Sequence, residues 1–365
     1  MSSSHRVIAL RTPTEQYDIH VGQGAAEQLG EQLTECLPGP RKVFLFSHPS
    51  LITLYGSDLT ATLRGAGYEV ETCEIPEGET SKTLESAARL FTHLAEAGAD
   101  RQSVICALGG GVIGDLSGFV AATYMRGIPF AQIPTSLLAM VDSSVGGKTG
   151  VNHTLGKNLI GAFYPPQAVC TDIAFLRSLP EREYLCGLSE IVKAGVIEDA
   201  ELFAFIENQV EAIGQRDEAV LTTLIERAIA VKVRVVQEDP TEKGIRAILN
   251  FGHTIGHALE AATAYETYSH GEAVAIGMAL VARLSETLGY CTPDVVERLY
   301  KVLNDLGLPV SYSEIDPAYI IELLSHDKKT VGGIPRFILL KDIGSVVHRQ
   351  EVPVEVLQEL LVQYA

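Results

Sequence analysis

The sequence has no tryptophan and only six cysteines among its 365 residues. The cysteines are widely separated and form no CxxC pair, which argues against a zinc ribbon and against a small disulfide framework. They are Cys36, Cys73, Cys106, Cys170, Cys186 and Cys291. We therefore expect reduced thiols, most of them buried.

Cationic side chains are also scarce, since 28 lysines and arginines stand against 46 aspartates and glutamates, for a formal net charge of -18. Nucleic acids and anionic membranes are bound mainly through an excess of lysine and arginine, so neither is an expected partner. The chain also lacks the run of about 18 apolar residues that a membrane span requires and has no signal-like start. We expect a soluble, cytoplasmic protein that acts on a small molecule.

Two halves of the chain differ in pattern. Residues 1–180 alternate short β-rich runs, such as 42–46, 68–75 and 103–109, with helical stretches such as 81–98, which predicts an α/β domain with a largely parallel sheet. Residues 181–365 predict a mainly α-helical domain. Its long amphipathic runs are 183–213, 217–237, 253–264, 271–288 and 293–306, with a strand-like piece at 337–341.

Glycines cluster in two segments of the first half. Residues 107–119 place three glycines between an apolar strand and a helix, where backbone N–H groups could approach a pyrophosphate. The order is not GxGxxG, and a tight turn is the plainer alternative. The second segment, 140–163, is no Walker A loop because its frame would need glycine where Asp142 stands.

Between residues 116 and 171 the charged side chains are Arg126, Asp142, Lys148 and Lys157, so this stretch is net positive in an acidic protein. Cations among glycines and hydroxyls suit an anionic substrate. The alternative is a solvated loop with incidental lysines.

Histidines and a glutamate suggest a metal site in the second half. His253 and His257 are four residues apart on a predicted helix, and His270 precedes the next helix. Glu190 lies in a helical stretch with Lys193 three residues on. One carboxylate and two imidazoles, with one position open, form the ligand set of a catalytic zinc. Spacing alone does not decide which two histidines bind, and HxxxH pairs also occur as core histidines.

Taken together, six segments resemble 3-dehydroquinate synthase, a family of the sugar-phosphate cyclase superfamily, in the family's order and over most of the chain. The segments are GGGVIGDLSGFVAATYMRG (109–127), IPTSLLAMVDSSVGGKTGVNHTLGKNLIGAFYPP (133–166), LPEREYLCGLSEIVKAG (179–195), ILNFGHTIGHALE (248–260), SHGEAVAIGM (269–278) and DKKTVGG (327–333).

The resemblance implies a Rossmann-like NAD-binding domain in residues 1–180, a helical metal- and substrate-binding domain in 181–365, and a homodimer. It implies Zn²⁺ or Co²⁺ held by Glu190, His253 and His270, with His257 left to contact substrate. The implied NAD-binding residues are Gly78, Glu79, Lys82, Gly110, Gly111, Val112, Ile113, Gly114, Asp115, Thr135, Ser136, Lys148, Lys157, Phe175, Leu176, Arg177 and Ser178.

Two positions depart from the family pattern near the nucleotide. Ser136 replaces the second threonine of a usual Thr-Thr pair and keeps its hydroxyl. Relatives often place Asp or Asn near the ribose where this chain has Ser47, His48 and Pro49, so the adenosine-side contact is left open.

The implied catalytic pocket divides by role. Asp142 and Lys193 would orient the reacting hydroxyl, and Arg126 is expected to reach a neighbouring subunit's site. The phosphate would be held by Lys148, Asn250, His257 and one of Lys328 and Lys329, and the carboxylate by Lys232 and Arg246. Asn158 completes the pocket.

The implied reaction converts 3-deoxy-D-arabino-heptulosonate 7-phosphate to 3-dehydroquinate and phosphate, a carbon–oxygen lyase step of the shikimate pathway for aromatic amino acids. Transient oxidation by NAD permits phosphate elimination; reduction, ring opening and an aldol step follow. The alternatives are another cyclase, for example on sedoheptulose 7-phosphate, a metal-dependent polyol dehydrogenase, and a non-catalytic NAD- or metabolite-binding protein.

Overall fold

The structure, a computed structural model, describes residues 5–13, 15–39, 41–325 and 336–364. The chain divides into two compact units, Met1–Leu179 and Pro180–Ala365. The predicted pocket lysines Lys328 and Lys329 lie outside the described residues. Among the described residues, no helix combines the length and the apolar character needed to cross a membrane.

The first unit is built on a seven-stranded sheet. Its strands and those of a separate hairpin are β1 Arg6–Arg11, β2 Gln16–Gly22, β3 Lys42–Ser47, β4 Glu69–Glu74, β5 Val104–Gly109, β6 Phe130–Pro134, β7 Lys148–His153, β8 Gly156–Phe163 and β9 Ala168–Asp172. The helices are α1 Leu29–Cys36, α2 Pro49–Leu51, α3 Ser57–Gly65, α4 Leu84–Glu96 and α5 Gly111–Thr123.

The sheet order is β1-β2-β9-β6-β5-β3-β4, with β7 and β8 paired separately as an antiparallel hairpin. Only β1 runs antiparallel to its neighbour among the described strands of this sheet; the other pairs are parallel. The chain leaves β3 toward the edge strand β4 and returns to the other side of β3 as β5. This reversal is the switch point at which open α/β sheets bind ligands, beyond the carboxyl ends of the strands.

Burial of the central strands explains their composition. Every residue of β5 and β6 is buried, as are the last five residues of β3. Strands covered on both faces read as continuous apolar runs, so the sequence pattern at 42–46 and 103–109 follows from burial. The predicted parallel α/β layer is confirmed.

The second unit is largely helical, as predicted. Its helices are α6 Glu181–Ile197, α7 Ala200–Asn208, α8 Val210–Gly214, α9 Glu218–Glu238, α10 His253–Ala262, α11 His270–Thr287, α12 Pro293–Asp305, α13 Pro317–Ser325 and α14 Val354–Gln363. A single two-stranded sheet in its described part pairs β10 Arg336–Asp342 with β11 Ser345–Glu351.

One helical prediction was wrong in extent. The amphipathic run 183–213 is not continuous but forms α6, α7 and α8. The break after α6 occurs at Asp199, whose carboxylate accepts a hydrogen bond from the backbone N–H of Leu202 at 3.0 Å. An aspartate that caps the next helix favours a new start over continuation.

Glycines allow α10 and α11 to pack at very short range. A Cβ built on Gly277 would lie 2.0 Å from the carbonyl oxygen of Gly252, and one on Gly256 would lie 3.0 Å from that of Ala273. Gly252 also has φ of 77°, a conformation that glycine adopts without strain. The helix carrying His253 and the helix carrying His270 therefore touch backbone to backbone.

We predict that Gly277→Ala lowers the free energy of unfolding by at least about 2 kcal/mol, because backbone atoms have to separate to admit the methyl group. Urea unfolding followed by far-UV circular dichroism measures the change. Gly214→Ala is the matched control, since a Cβ there meets nothing within 4 Å. Equal unfolding midpoints for the two variants would show that the helix contact is looser than described.

Candidate functional site

Three helices of the second unit each supply one predicted metal ligand. Glu190 lies in α6, His253 is the first residue of α10 and His270 is the first residue of α11. The start of α11 is fixed by a capping box, in which Ser269 accepts from the backbone of Glu272 and Glu272 accepts from the backbone of Ser269. These helix starts place both imidazoles beside the α6 carboxylate.

The ligand atoms of this group have the spacing of a metal site. The Oε1 atom of Glu190 lies 3.6 Å from Nε2 of His253 and 3.8 Å from Nε2 of His270. Tetrahedral zinc bonds of about 2.0–2.1 Å put neighbouring ligand atoms about 3.4 Å apart. One ligand atom from each residue falls within 4.8 Å of the others. The residues present fit a divalent metal with a position left open.

The burial and the hydrogen bonding of Glu190 favour a cation beside its carboxylate. Its side chain is 2 % exposed, and among the described residues its Oε1 has no hydrogen-bond partner. Its Oε2 forms an ion pair with Lys193, three residues later on α6. A buried acceptor left without a partner costs about 1–3 kcal/mol, which a metal at Oε1 would remove.

His253 is held in the neutral form that coordination requires. Its Nδ1 donates to the carbonyl of Phe251 at 3.2 Å, so its Nε2 carries the lone pair facing Glu190. Burial, followed by the nearby charge of Lys193, lowers the pKa of His253 well below its ordinary value. The imidazole is therefore a ready ligand.

His270 has a partner to which the sequence reasoning gave no role. Its Nδ1 lies 3.3 Å from Oε2 of Glu260, a buried carboxylate on α10. The signal was present, because Glu260 follows His253 by seven residues and so lies on the same helix face. A backbone contact adds to this placement, as the N–H of Gly271 donates to the thiol of Cys186 on α6 at 3.1 Å.

His257 lies beside the ligand group. Its ring is exposed, with its centroid 5.3 Å from that of His253 and 6.1 Å from that of His270. His257, Glu260 and His270 form a second group whose ligand atoms fall within 4.8 Å of one another. Around Glu190, however, the two imidazoles that approach Oε1 are those of His253 and His270.

The remaining predicted pocket residues of this unit lie on α9 and on the 3-10 turn before α10. Lys232 is buried on α9. Arg246 is 2 % exposed and donates to the carbonyl of Pro240 at 2.7 Å. Asn250 donates to Oε1 of Glu242 at 3.1 Å, and Glu242 has the left-handed φ of 58°.

In the first unit, the predicted nucleotide segments share one edge of the sheet. Residues 47–49 lie at the end of β3, 78–82 follow β4, 110–115 follow β5, 135–136 follow β6 and 175–178 follow β9. These strands are mutually parallel, so their carboxyl ends meet at the same edge. This is the edge that holds the switch point between β3 and β5.

The glycines of the turn after β5 allow neighbouring groups to approach the backbone closely. A Cβ on Gly110 would lie 3.3 Å from Oγ of Ser136, and one on Gly111 would lie 3.2 Å from Oγ of Ser143. Gly110 is the N-cap of α5. The N–H groups of the first turn of α5 therefore form a site suited to a phosphate.

A buried lysine links two predicted roles in the first unit. Nζ of Lys82 lies 2.5 Å from Oδ2 of Asp115 and 2.6 Å from Oδ1 of Asn158. Burial is the largest influence on Asp115 and raises its pKa, although Lys82 opposes the rise. The structure thus brings predicted nucleotide residues together with a predicted pocket residue.

Asn152, on β7, is a second residue that the sequence reasoning missed. Its side chain donates to Glu79 at 2.7 Å and accepts from the backbone N–H of Asn158 at 3.0 Å. Asn158 is held in the left-handed region, with φ of 55°. Asn152 therefore fixes the β7–β8 hairpin against the 78–82 segment.

Ser47 and His48, where the chain departs from the family pattern near the ribose, form hydrogen bonds with neighbouring backbone. Ser47 is fully buried and donates to the carbonyl of Leu108 at 2.6 Å, and Nδ1 of His48 lies 2.8 Å from the carbonyl of Ile75. These bonds tie both side chains to the carboxyl edge of the sheet, and neither side chain carries a carboxylate or an amide.

Four predicted residues of this unit lie on or near the hairpin and the turns beside it. Lys148 begins β7 and is exposed, while Lys157 lies in β8 and is half-buried. Asp142 lies in the π-helical turn Ala139–Ser143. Arg126 is exposed and has a left-handed φ of 69°.

Solved structures resemble the whole chain. A 2-epi-5-epi-valiolone synthase from Streptomyces hygroscopicus subsp. jinggangensis 5008, with NAD+ and Zn²⁺ bound, is 30 % identical with a TM-score of 0.86, over 98 % of this chain and 99 % of that one. A 2-deoxy-scyllo-inosose synthase complexed with carbaglucose-6-phosphate, NAD+ and Co²⁺ is 28 % identical with a TM-score of 0.89, over 99 % and 100 %.

Sequence comparisons are more specific. The 3-dehydroquinate synthase of Desulforamulus reducens is 47 % identical over 90 % of this chain and 92 % of its own length, and that of Pelotomaculum thermopropionicum is 47 % identical over 94 % and 93 %. Family models described as 3-dehydroquinate synthase N-terminal and C-terminal match residues 72–186 and 187–330. The chain belongs to the 3-dehydroquinate synthase family.

Proposed function

We propose that this protein is a 3-dehydroquinate synthase, which converts 3-deoxy-D-arabino-heptulosonate 7-phosphate to 3-dehydroquinate and phosphate as a phosphate-eliminating lyase. The observation that carries the proposal is the convergence of Glu190, His253 and His270 on one buried point, in a chain 43–47 % identical to several 3-dehydroquinate synthases. The structures with NAD+ and either Zn²⁺ or Co²⁺ support the same cofactors here.

The metal centre is assigned to Glu190, His253 and His270. A divalent metal bound there supplies Lewis-acid polarisation of a substrate hydroxyl and of the ketone derived from it. Lys193, ion-paired with Glu190 and 4 % exposed on its side chain, orients that hydroxyl together with Asp142. His257, exposed beside the ligand group, contacts substrate and not metal.

NAD is assigned to the carboxyl edge of the parallel sheet, with its pyrophosphate at the first turn of α5. Bound there, NAD would supply a hydride acceptor that is regenerated within each turnover. The turn glycines admit the pyrophosphate and the backbone N–H groups of α5 bind it. Lys82 holds Asp115 and Asn158 in place, and Thr135, Ser136, Lys157 and residues 175–178 complete the nucleotide site.

Cations explain recognition of a doubly anionic substrate in a protein of net charge -18. We assign Lys148, Asn250, His257 and one of Lys328 and Lys329 to the phosphate. Lys232 and Arg246 are assigned to the carboxylate, since both are buried and a desolvated guanidinium binds a carboxylate strongly. Arg126 is assigned to a neighbouring subunit's site in a cytoplasmic homodimer.

The competing cyclase activity accounts for fewer observations. The cyclases among the structural neighbours are 28–30 % identical, whereas the 3-dehydroquinate synthases reach 47 %. A substrate without a carboxylate would leave the role proposed for Arg246 unused. A polyol dehydrogenase would not need the cluster of lysines.

The substrate assignment is tested with purified protein, catalytic NAD and zinc. We expect phosphate release from 3-deoxy-D-arabino-heptulosonate 7-phosphate and none from sedoheptulose 7-phosphate, because the second substrate has no carboxylate for Arg246. Phosphate is measured over time for each substrate separately. Release from the second alone would reassign the chain to another cyclase, and net accumulation of NADH with a simple alcohol would indicate a dehydrogenase.

The division between the paired histidines gives a second test. We expect His253→Ala to lose bound metal and His257→Ala to keep it while losing turnover, because only the first imidazole approaches Oε1 of Glu190. Metal content after dialysis is measured by mass spectrometry beside the rate of phosphate release. Equal metal content in the two folded variants would contradict this division.

A further inference from the structure

Both ring nitrogens of His270 are engaged by carboxylates. Nε2 faces Oε1 of Glu190 at 3.8 Å, and Nδ1 faces Oε2 of Glu260 at 3.3 Å. A neutral imidazole carries its proton on one nitrogen and its lone pair on the other. An acceptor at Nδ1 therefore decides that the lone pair is at Nε2, toward the predicted metal.

Glu260 lies on α10 in a position from which it can accept a hydrogen bond from Nδ1 of His270. Its side chain is 7 % exposed. Its backbone carbonyl accepts from the N–H of Tyr265 at 2.8 Å, where the helix ends. An ionised carboxylate only accepts hydrogen bonds, so Glu260 selects the Nδ1–H form of His270.

The two imidazoles of the centre are oriented by acceptors of different charge. His253 donates to the neutral carbonyl of Phe251, and that acceptor belongs to the backbone. His270 donates to a carboxylate, which forms a stronger bond and makes the opposite nitrogen a better donor to a cation.

The charges of the neighbouring side chains also support a role for Glu260 at the metal site. Lys193 is ion-paired with Glu190, so those two side chains together are neutral. Glu260 then provides one negative charge toward the two positive charges of a divalent cation held by Glu190 and two neutral imidazoles.

We propose that Glu260 is the positioning residue of the metal centre, fixing the tautomer and orientation of His270 and raising metal affinity. This inference rests on the metal role proposed for Glu190, His253 and His270. It differs from a second cation site formed by His257, Glu260 and His270, in which Glu260 would itself be a ligand.

The first measurement uses the metal-free protein. Histidine ¹⁵N NMR of the wild type should show His270, assigned with His270→Gln, as the Nδ1–H tautomer. Glu260→Ala and Glu260→Leu should convert it to a mixture, whereas Glu260→Gln, whose amide oxygen still accepts, should retain it. An unchanged tautomer in the Ala and Leu variants would overturn the inference without touching the proposed enzyme activity.

The second measurement is metal affinity by competition with a chelator, using Zn²⁺ and Co²⁺. Loss of an outer acceptor typically weakens metal binding about 10–100-fold, and we expect that loss in Glu260→Ala and Glu260→Leu, with a smaller loss in Glu260→Gln. The visible spectrum of bound Co²⁺ should also shift. Affinities within twofold of wild type, or equal losses in all three variants, would overturn the inference.

Glu272→Gln is the matched control. Glu272 stands two residues after His270 and completes the capping box, a role that glutamine can also fill. Unlike Glu260, its carboxylate forms an ion pair with Arg182. We expect wild-type affinity and tautomer in this variant.

Two metal equivalents in the wild type, of which only one is lost with Glu260, would assign Glu260 as a ligand and refute the positioning role. A wild type that binds neither metal would refute the proposed metal centre itself.

Discussion

The proposed metal centre depends on the backbone contact between α10 and α11. The carbonyl of Gly252 lies where a Cβ of Gly277 would stand, so any side chain at position 277 would push the helices apart. Two of the three predicted ligands are first residues of these helices, and a separation of the helix axes would move His253 away from Glu190. Ligand spacing of 3.6–3.8 Å is therefore a consequence of helix packing as much as of the ligands themselves.

Glycine also allows α6 and α11 to pack at very short range. A Cβ on Gly271 would lie 2.3 Å from Cα of Cys186, and the N–H of Gly271 donates to the Cys186 thiol. Cys186 precedes Glu190 by one helical turn, and Gly271 follows His270 directly. Burial raises the pKa of this thiol to about 12, so it remains a neutral acceptor and adds no charge beside the metal ligands.

Sequence patterns predicted the elements of the site better than their contacts. Helical spacing placed His253, His257 and Glu190 correctly on helices, because periodicity and capping are local properties. Spacing could not choose which two of His253, His257 and His270 join Glu190, because that choice depends on how separate helices pack. The resemblance to a family supplied the choice. Asn152 and Glu260 were missed because their roles are contacts with residues that are themselves functional. Helix spacing places Glu260 on the same face as His253, but it does not show the contact of Glu260 with His270.

The balance of charge explains why a buried carboxylate is tolerated beside two imidazoles. Lys193 neutralises Glu190 through Oε2, while Oε1 faces Nε2 of His253 and of His270. The Nε2 of His253 carries no proton, because its Nδ1 donates to the carbonyl of Phe251. In the described residues Oε1 has no hydrogen-bond partner, an arrangement that costs folding free energy. Such a cost persists where it serves binding, because a divalent cation turns the mutual repulsion of three lone pairs into three bonds. The unpartnered Oε1 is therefore already placed for the proposed metal, and the ion pair of Lys193 with Oε2 leaves that atom available.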